Sequence, residues 1–169
     1  MGIETQRFDF DSKALRTNGR PLSGGEITFL RTVFYGSLNY EIVYIRRGLP
    51  IPLKTEALTI DNVIFFDDPY YSDDFSVVAN INDLALLAHE AMHVWQGLNL
   101  HYGWPDSMFE HIRYGDRVYC YDLDPRKKLT KYRFEQQGRI VQDYVEKRAG
   151  NDPDIHHYEK VIYASIPKI

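Results

Sequence analysis

The sequence of 169 residues contains a single cysteine, Cys120, so it cannot form an internal disulfide bond. A chain of this length can bury a hydrophobic core without such cross-links, and nothing in its composition requires an oxidising compartment for folding. Because no second cysteine is present to complete a sulfur-rich site, we expect Cys120 to be a small buried side chain rather than a metal ligand.

Long apolar runs are also missing. No stretch approaches the roughly 18 apolar residues of a membrane-spanning helix, and the start of the chain, MGIETQRFDF, lacks the basic and apolar segments of a secretory signal. The net charge of −4 gives no reason to expect nucleic acid or a membrane as a partner. We therefore expect synthesis in the cytoplasm and, for a protein that leaves the cell, a route that needs no signal peptide.

One stretch carries a pattern typical of catalysis. Residues 84–96, LALLAHEAMHVWQ, contain His89, Glu90 and His93 in the order H-E-x-x-H, inside an apolar repeat that predicts a helix. Two histidines four residues apart share one helix face and can bind one zinc ion, while the glutamate can act as general base on a zinc-bound water. The pattern predicts a zinc metallopeptidase with one Zn²⁺ per chain. The competing interpretation is a core helix with two incidental histidines.

The third zinc ligand is not determined by spacing alone. A catalytic zinc usually has three protein ligands, and the extended pattern with a third histidine fails because Gln96 and Asn99 occupy the required positions. Glu135, which opens a second strong helical pattern, is the first candidate, and Asp143 two turns later could orient a ligating histidine. The alternatives are Glu110 and the remaining histidines: His101, His111, His156 and His157.

The other patterns predict an α+β domain over residues 21–169, after a polar arm at residues 1–20. A small antiparallel sheet is expected to pack on the two helices that carry the site. Gly97 is expected to end the H-E-x-x-H helix, and Asp152 to cap the last helix. The predicted strands are 42–46, 58–60, 63–66 and 118–123, and the remaining helices begin near Ser23, Asp106, Tyr132 and Asp152.

Several runs together resemble a bacterial family: RPLSGGEITFLRTVFYGSLNYEIVYI, ALTIDNVIFFDD with DDFS, HEAMHVWQ and FEQQGRIVQDY. The family consists of small predicted zinc-peptidase domains that are Vgr-related or associated with Rhs elements and type VI secretion. The resemblance covers residues 20–145. It implies a zincin-like fold and a gluzincin-like site with Glu135 as the third ligand. One departure is Gly138, where we expect alanine, at a cost to the helix of at most about 1 kcal/mol.

The resemblance also implies an antibacterial or host-directed effector, with a secretion apparatus and an immunity protein as partners. The predicted reaction is hydrolysis of peptide bonds in a polypeptide substrate, which a hairpin strand would hold in extended form. A second group must stabilise the oxyanion, and Tyr119 and Tyr121 are the candidates, with Tyr144 a weaker one. Two other functions stay open: a non-catalytic zinc-stabilised module of a toxin-delivery assembly, and an amidase that acts on cell-wall cross-bridges.

Overall fold

The computed structural model describes residues 12–78 and 80–168. Over these ranges the chain combines six α-helices with one four-stranded sheet, an α+β arrangement. In chain order the elements are α1 (Ser12–Arg16), β1 (Arg20–Pro21), α2 (Gly24–Phe34), β2 (Tyr44–Arg47), β3 (Ala57–Ile60), β4 (Val63–Phe66), α3 (Ile81–Leu100), α4 (Trp104–Tyr114), α5 (Phe134–Ala149) and α6 (Ile155–Tyr163).

The sheet is mixed rather than antiparallel. Its strand order is β1-β2-β4-β3, in which β4 pairs antiparallel with β3 but parallel with β2. The prediction of an antiparallel sheet is therefore wrong for this one pair. All four residues of β4, VIFF, are buried, and a strand that is apolar on both faces is stable only in the interior of a sheet. The hairpin formed by β3 and β4 consequently places β4 beside β2 and leaves β3 at the edge of the sheet.

The core lies between this sheet and the helices. Helix α3 packs against α5 on one side and against β3 on another. Its middle is buried all round, from Leu87 to Gln96, so a helix with this composition is stable only at the centre of the domain. Because α3 packs more extensively on α5 than on any other element, the side chains that face each other across this contact lie close together.

Some predicted boundaries are wrong. Helix α3 passes through Gly97 and ends at Leu100, where His101 adopts a left-handed conformation with φ 58°. A glycine inside a helix costs only about 1 kcal/mol relative to alanine, less than the burial of the preceding turns contributes. The segment predicted as a strand at 118–123 is instead a 3-10 helix from Gly115 to Tyr119 followed by unpaired chain.

Two smaller predictions also fail. Cys120, which we expected to be buried, is exposed, because the segment after the 3-10 helix runs along the surface. Asp154, not Asp152, occupies the N-cap position of α6, while the carboxylate of Asp152 accepts the Asp154 backbone N–H and pairs with Lys147. Helix α6 therefore begins two residues later than the Asp-Pro pattern predicts.

The end of the predicted arm belongs to the folded domain, whereas residues 1–11 lie outside the described ranges. Leu15 of α1 is buried under the sheet, and Arg20 of β1 pairs with Ile45 of β2. Arg20 also forms two hydrogen bonds of 2.7 and 2.8 Å with the fully buried carboxylate of Glu26. The predicted start of a helix near Ser23 is confirmed: Ser23 and Glu26 form a capping box, in which each side chain accepts the other's backbone N–H.

Candidate metal centre

Three side chains from two helices converge in the middle of the molecule. His89 and His93 of α3 each place Nε2 at 3.4 Å from Oε2 of Glu135, which lies in the first turn of α5. In the described part of the chain, these three residues form a group whose potential ligand atoms all lie within 4.8 Å of one another. All three are buried, so the two helices of the core bring together two imidazoles and a carboxylate.

The donor atoms of this group fit a divalent metal ion. The Nδ1 atoms of His89 and His93 face the amide oxygens of Gln142 and Gln96, at 3.2 and 2.8 Å, so the proton of each neutral ring lies on Nδ1. Two Nε2 lone pairs then point at the carboxylate of Glu135 and repel it unless a proton or a cation lies between them. Two imidazole nitrogens and one carboxylate oxygen form a donor set that zinc prefers.

The electrostatics of the cluster favour positive charge at the same point. Burial lowers the pKa of His93, but the adjacent carboxylate of Glu135 outweighs it, and the pKa rises to about 9. Burial raises the pKa of Glu135, but attraction to His93 and contacts with the surrounding imidazoles bring it far below its usual range. Without a metal, the cluster therefore holds a proton in a position where a cation would carry the same charge.

Gly138 gives the His89 ring the space it needs. A Cβ atom at residue 138 would lie 2.7 Å from Nε2 of His89 and 2.9 Å from its Cε1. Such a contact is too short for any side chain, so α5 can approach α3 here only with glycine. The expectation of alanine at this position is wrong, because helix propensity is outweighed by the close approach of the ring.

Helix α4 holds the second oxygen of Glu135. The hydroxyl of Ser107 donates a hydrogen bond to Oε1 of Glu135, and Nε2 of His111 lies 3.5 Å from the same oxygen. The hydrogen bond with Glu135 raises the pKa of His111. Sequence reasoning treated His111 as an alternative ligand and did not consider Ser107. Their separation of four residues on one helix face is the signal that could have paired them.

Glu110 is a cap rather than a ligand. Its carboxylate accepts the backbone N–H groups of Phe134 and Glu135, at 3.0 and 3.1 Å, and so satisfies two free donors at the start of α5. The interaction fixes the first turn of α5, from which Glu135 projects. The structure does not bring Glu110, the alternative third ligand, into the group formed by His89, His93 and Glu135.

The structure does not bring the other histidines to this group. His101 lies exposed at the end of α3, and His156 and His157 lie on α6. Asp143 does not orient a histidine either: it pairs with Arg139 at 2.8 Å and accepts the hydroxyl of Tyr121. The residue that faces His89 is its neighbour Gln142, because a shift of one residue rotates a side chain by about 100° around the helix.

Glu90 lies beside the cluster in a cleft of about 750 Å³. It is 5% exposed, and its Oε2 accepts a hydrogen bond of 2.7 Å from the hydroxyl of Thr59 on the edge strand β3. The cleft opens between β3 on one side and α4 on the other, with the metal-ligand group at its base. The carboxylate therefore faces the space that a substrate would enter.

The candidate tyrosines have different positions. Tyr119 lines the cleft, with its hydroxyl 3.4 Å from Nε2 of His111, and burial raises its pKa. Tyr121 is not brought to the cleft; its hydroxyl contacts Asp143 and Tyr158. Tyr144 is buried in the core, where its hydroxyl pairs with that of Tyr163. Of these tyrosines, Tyr119 alone shares a space with Glu90.

In the described ranges, no helix has the length and apolar character required to cross a membrane.

Comparisons with known proteins relate this chain to a type VI secretion protein. No protein-family model matches the chain. The sequence is 33% identical over 131 residues to the type VI secretion system spike protein VgrG2b of Pseudomonas aeruginosa, covering 75% of this chain and 13% of the spike protein. The fold is similar to the solved effector domain of Pseudomonas aeruginosa VgrG2b, with a TM-score of 0.66, 27% identity and 92% of both chains covered. The chain is thus homologous in sequence and fold to the effector domain of a type VI secretion spike protein.

Proposed function

We propose that this protein is a zinc-dependent peptidase that hydrolyses peptide bonds. The observation that carries the proposal is the convergence of His89, His93 and Glu135 at the base of a cleft that also contains the carboxylate of Glu90. A structural zinc site has no need of an additional carboxylate facing an open cleft. When bound, zinc supplies a Lewis acid that acidifies water and polarises a carbonyl group.

Glu90 is the proposed general base. Its carboxylate takes a proton from the attacking water and returns it to the leaving amine, so it must be ionised and fixed in direction at the start of the reaction. The hydrogen bond from Thr59 supports the second requirement, because it restricts the rotation of the carboxylate. Burial of Glu90 at 5% exposure limits competing water.

Tyr119 and His111 are the proposed stabilisers of the oxyanion. Both line the cleft, and their hydroxyl and Nε2 atoms lie 3.4 Å apart. The raised pKa of Tyr119 keeps its hydroxyl protonated, as a hydrogen-bond donor must be. A donor that is already aimed at the developing charge contributes more than one that must reorient.

The cleft suits an extended polypeptide. β3 is an edge strand, so one side of its backbone can pair with a substrate strand, as expected from the sequence. Each rim carries an exposed apolar side chain: Leu53 precedes β3 and is 42% exposed, and Ile112 on α4 is 78% exposed. These side chains would contact apolar side chains of a bound peptide on either side of the scissile bond.

The proposed biological role is that of a type VI secretion effector. VgrG2b is a spike protein with an effector domain, and the similarity of this chain to that domain supports delivery by the same class of apparatus. An effector that travels this way needs no signal peptide. It would also need an immunity protein where it acts on sister cells.

Zinc content per chain, combined with hydrolysis of an unfolded protein, tests the proposal. We expect one zinc in the unmodified protein, marked loss in H93A and E135A, and no loss in H101A, which removes an exposed histidine. E90Q should bind zinc normally and lose at least about a hundredfold in rate. An active E90Q variant would exclude this mechanism. Hydrolysis of cell-wall peptide fragments but not of proteins would indicate the amidase instead.

A further inference from the structure

We propose that Gln96 and Gln142 are positioning residues, each of which holds one metal-binding histidine in the tautomer with its proton on Nδ1. The inference rests on the proposed zinc site and extends it to residues that do not contact the metal. Gln96 lies in the run HEAMHVWQ and Gln142 in the run FEQQGRIVQDY. Both runs carry the family resemblance, but the resemblance assigns no role in metal binding to either glutamine.

The orientation of Gln96 is fixed by its other partners. Its Nε2 donates hydrogen bonds to the backbone carbonyl of Phe134, at 3.0 Å, and to Oε1 of Gln137, at 3.1 Å. Gln137 in turn donates from Nε2 to the carbonyl of Tyr132, at 2.8 Å. Reversing either amide would place donor against donor or acceptor against acceptor in a space closed to water. Oε1 of Gln96 must therefore accept, and Nδ1 of His93 must donate.

This chain of amides is buried from end to end. Gln96 and Gln137 are both fully buried, which is uncommon for glutamine and requires every polar atom to be paired. This chain of amides links the backbone before α5 to His93 of α3. It thus sets the direction of the His93 ring by contacts with the same helix that supplies Glu135.

Gln142 does the same for His89 with a single partner. Its Oε1 lies 3.2 Å from Nδ1 of His89, while its Nε2 donates to Oε1 of Glu146, at 3.2 Å. A carboxylate can only accept, so the amide nitrogen faces Glu146 and the amide oxygen faces the ring. Gln142 is partly exposed and lines the cleft. Substitution here is therefore less disruptive than at Gln96.

Neutral amides at both positions have a consequence for affinity. A carboxylate that accepts from a ligating imidazole raises the basicity of the ring, and outer partners of this kind change metal affinity by about 10- to 100-fold. Two amides orient the rings without that added charge. Exchanging Gln142 and Glu146 (Q142E with E146Q) moves one carboxylate next to His89 and leaves the total charge unchanged. The hydrogen bond between the two side chains is kept with its direction reversed, since the amide is then at position 146 and the carboxylate at position 142.

The test measures zinc affinity of the full 169-residue chain by competition with a coloured chelator. We expect Q142M and Q96M to weaken zinc binding by about 10- to 100-fold. The exchanged pair Q142E/E146Q should bind zinc more tightly than the unmodified protein. The control is Q136M: Gln136 lies on the same helix but contacts Arg133 and Cys120, not a histidine, so its affinity should be unchanged.

A nitrogen-15 spectrum of the imidazoles supplies a second readout that a purely structural role would not change. With zinc bound, both rings should carry the proton on Nδ1, and the Nδ1 proton of His89 should exchange faster in Q142M but not in Q136M. If Q96M does not fold, the Gln142 variants decide the matter. Unchanged affinity in Q142M and in the exchanged pair, with one zinc in the unmodified protein, would overturn this inference alone. An unmodified chain that binds no zinc would overturn the proposed function as well.

Discussion

The hydroxyl of Thr59 on the edge strand lies 2.7 Å from Oε2 of Glu90 and 3.1 Å from the backbone carbonyl of the same residue. A threonine hydroxyl has one proton, and the shorter contact with a charged acceptor is the stronger hydrogen bond. The strand that is proposed to align the substrate is therefore also the element that orients the proposed base.

Replacing Thr59 with valine should slow the reaction without releasing the metal. Valine has nearly the same shape but no hydroxyl, so the carboxylate of Glu90 loses a hydrogen bond to a charged group, worth about 1.5–3 kcal/mol. We expect kcat to fall by about 10- to 100-fold with normal zinc content. T59S retains the hydroxyl and should recover most of the rate. Equal rates for T59V and the unmodified protein would show that the hydrogen bond has no role in catalysis.

Replacing Gly138 with alanine should impair zinc binding even though alanine favours the helix by about 1 kcal/mol. The new methyl group would lie 2.7 Å from Nε2 of His89, the atom that is proposed to bind the metal. G24A is a matched control, because a Cβ atom at Gly24 meets nothing within 4 Å. Zinc titration and thermal unfolding check both variants. A G138A protein with full zinc affinity and a higher Tm would contradict the steric argument.

The stability of the metal-free protein should depend on pH through His93 and Glu135. Because the pKa of His93 is raised from 6.5 to about 9, its stabilising contribution is complete below about pH 6.5 and is lost as the pH rises through 9. The pKa of Glu135 is lowered from 4.5, so its contribution is present above that pH and is lost in acid.

The stabilisation of the protein by added zinc should have the opposite pH dependence and increase between pH 6.5 and 9. The metal competes with the proton held between His93 and Glu135, and this proton is lost as the pH rises. Thermal unfolding with a chelator should give a Tm that falls across this range, while the increase in Tm on adding zinc grows. H93Q removes the titrating ring and should flatten the first curve. A metal-free Tm that rises from pH 6.5 to 9 would contradict the assigned charges.

Replacing Glu26 with glutamine should destabilise the fold far from the cleft. The substitution leaves the charge of Arg20 without its buried partner, which typically costs about 3–5 kcal/mol. Urea unfolding would measure the loss. D68N is the control, because the Arg47–Asp68 pair is exposed on both sides and should contribute less than about 1 kcal/mol. Equal effects of E26Q and D68N would show that burial of the pair does not matter.

The H-E-x-x-H helix could be predicted because its pattern is local. Two histidines four residues apart lie on one face of any helix, and the apolar stripe around them specifies a buried one. Glu135 was only the first of several candidates before the family resemblance selected it, since no local rule connects residues that are 42 or more positions apart in the chain. The structure places these three side chains together, while their role in binding zinc stays a prediction.

The parts that sequence reasoning missed depend on how the helices meet. The need for Gly138 arises from the approach of the His89 ring, and the amide chain through Gln96 exists only where α3 faces α5. Likewise, the parallel pairing of β2 with β4 depends on which strand the core buries most completely. Helix propensity and strand alternation describe one element at a time, so they cannot specify such contacts.

None of the 11 residues of α4 is buried, yet this helix forms one wall of the cleft. Polar contacts of Ser107, Glu110 and His111 attach it to Glu135 and the first turn of α5. Its first residue, Trp104, packs against the small apolar cluster that contains Leu15. Most of its outward face can therefore change without opening a cavity in the core. Relatives of this protein could acquire new selectivity by substitutions at Met108 or Ile112, while the fold and the metal-ligand group remain as they are.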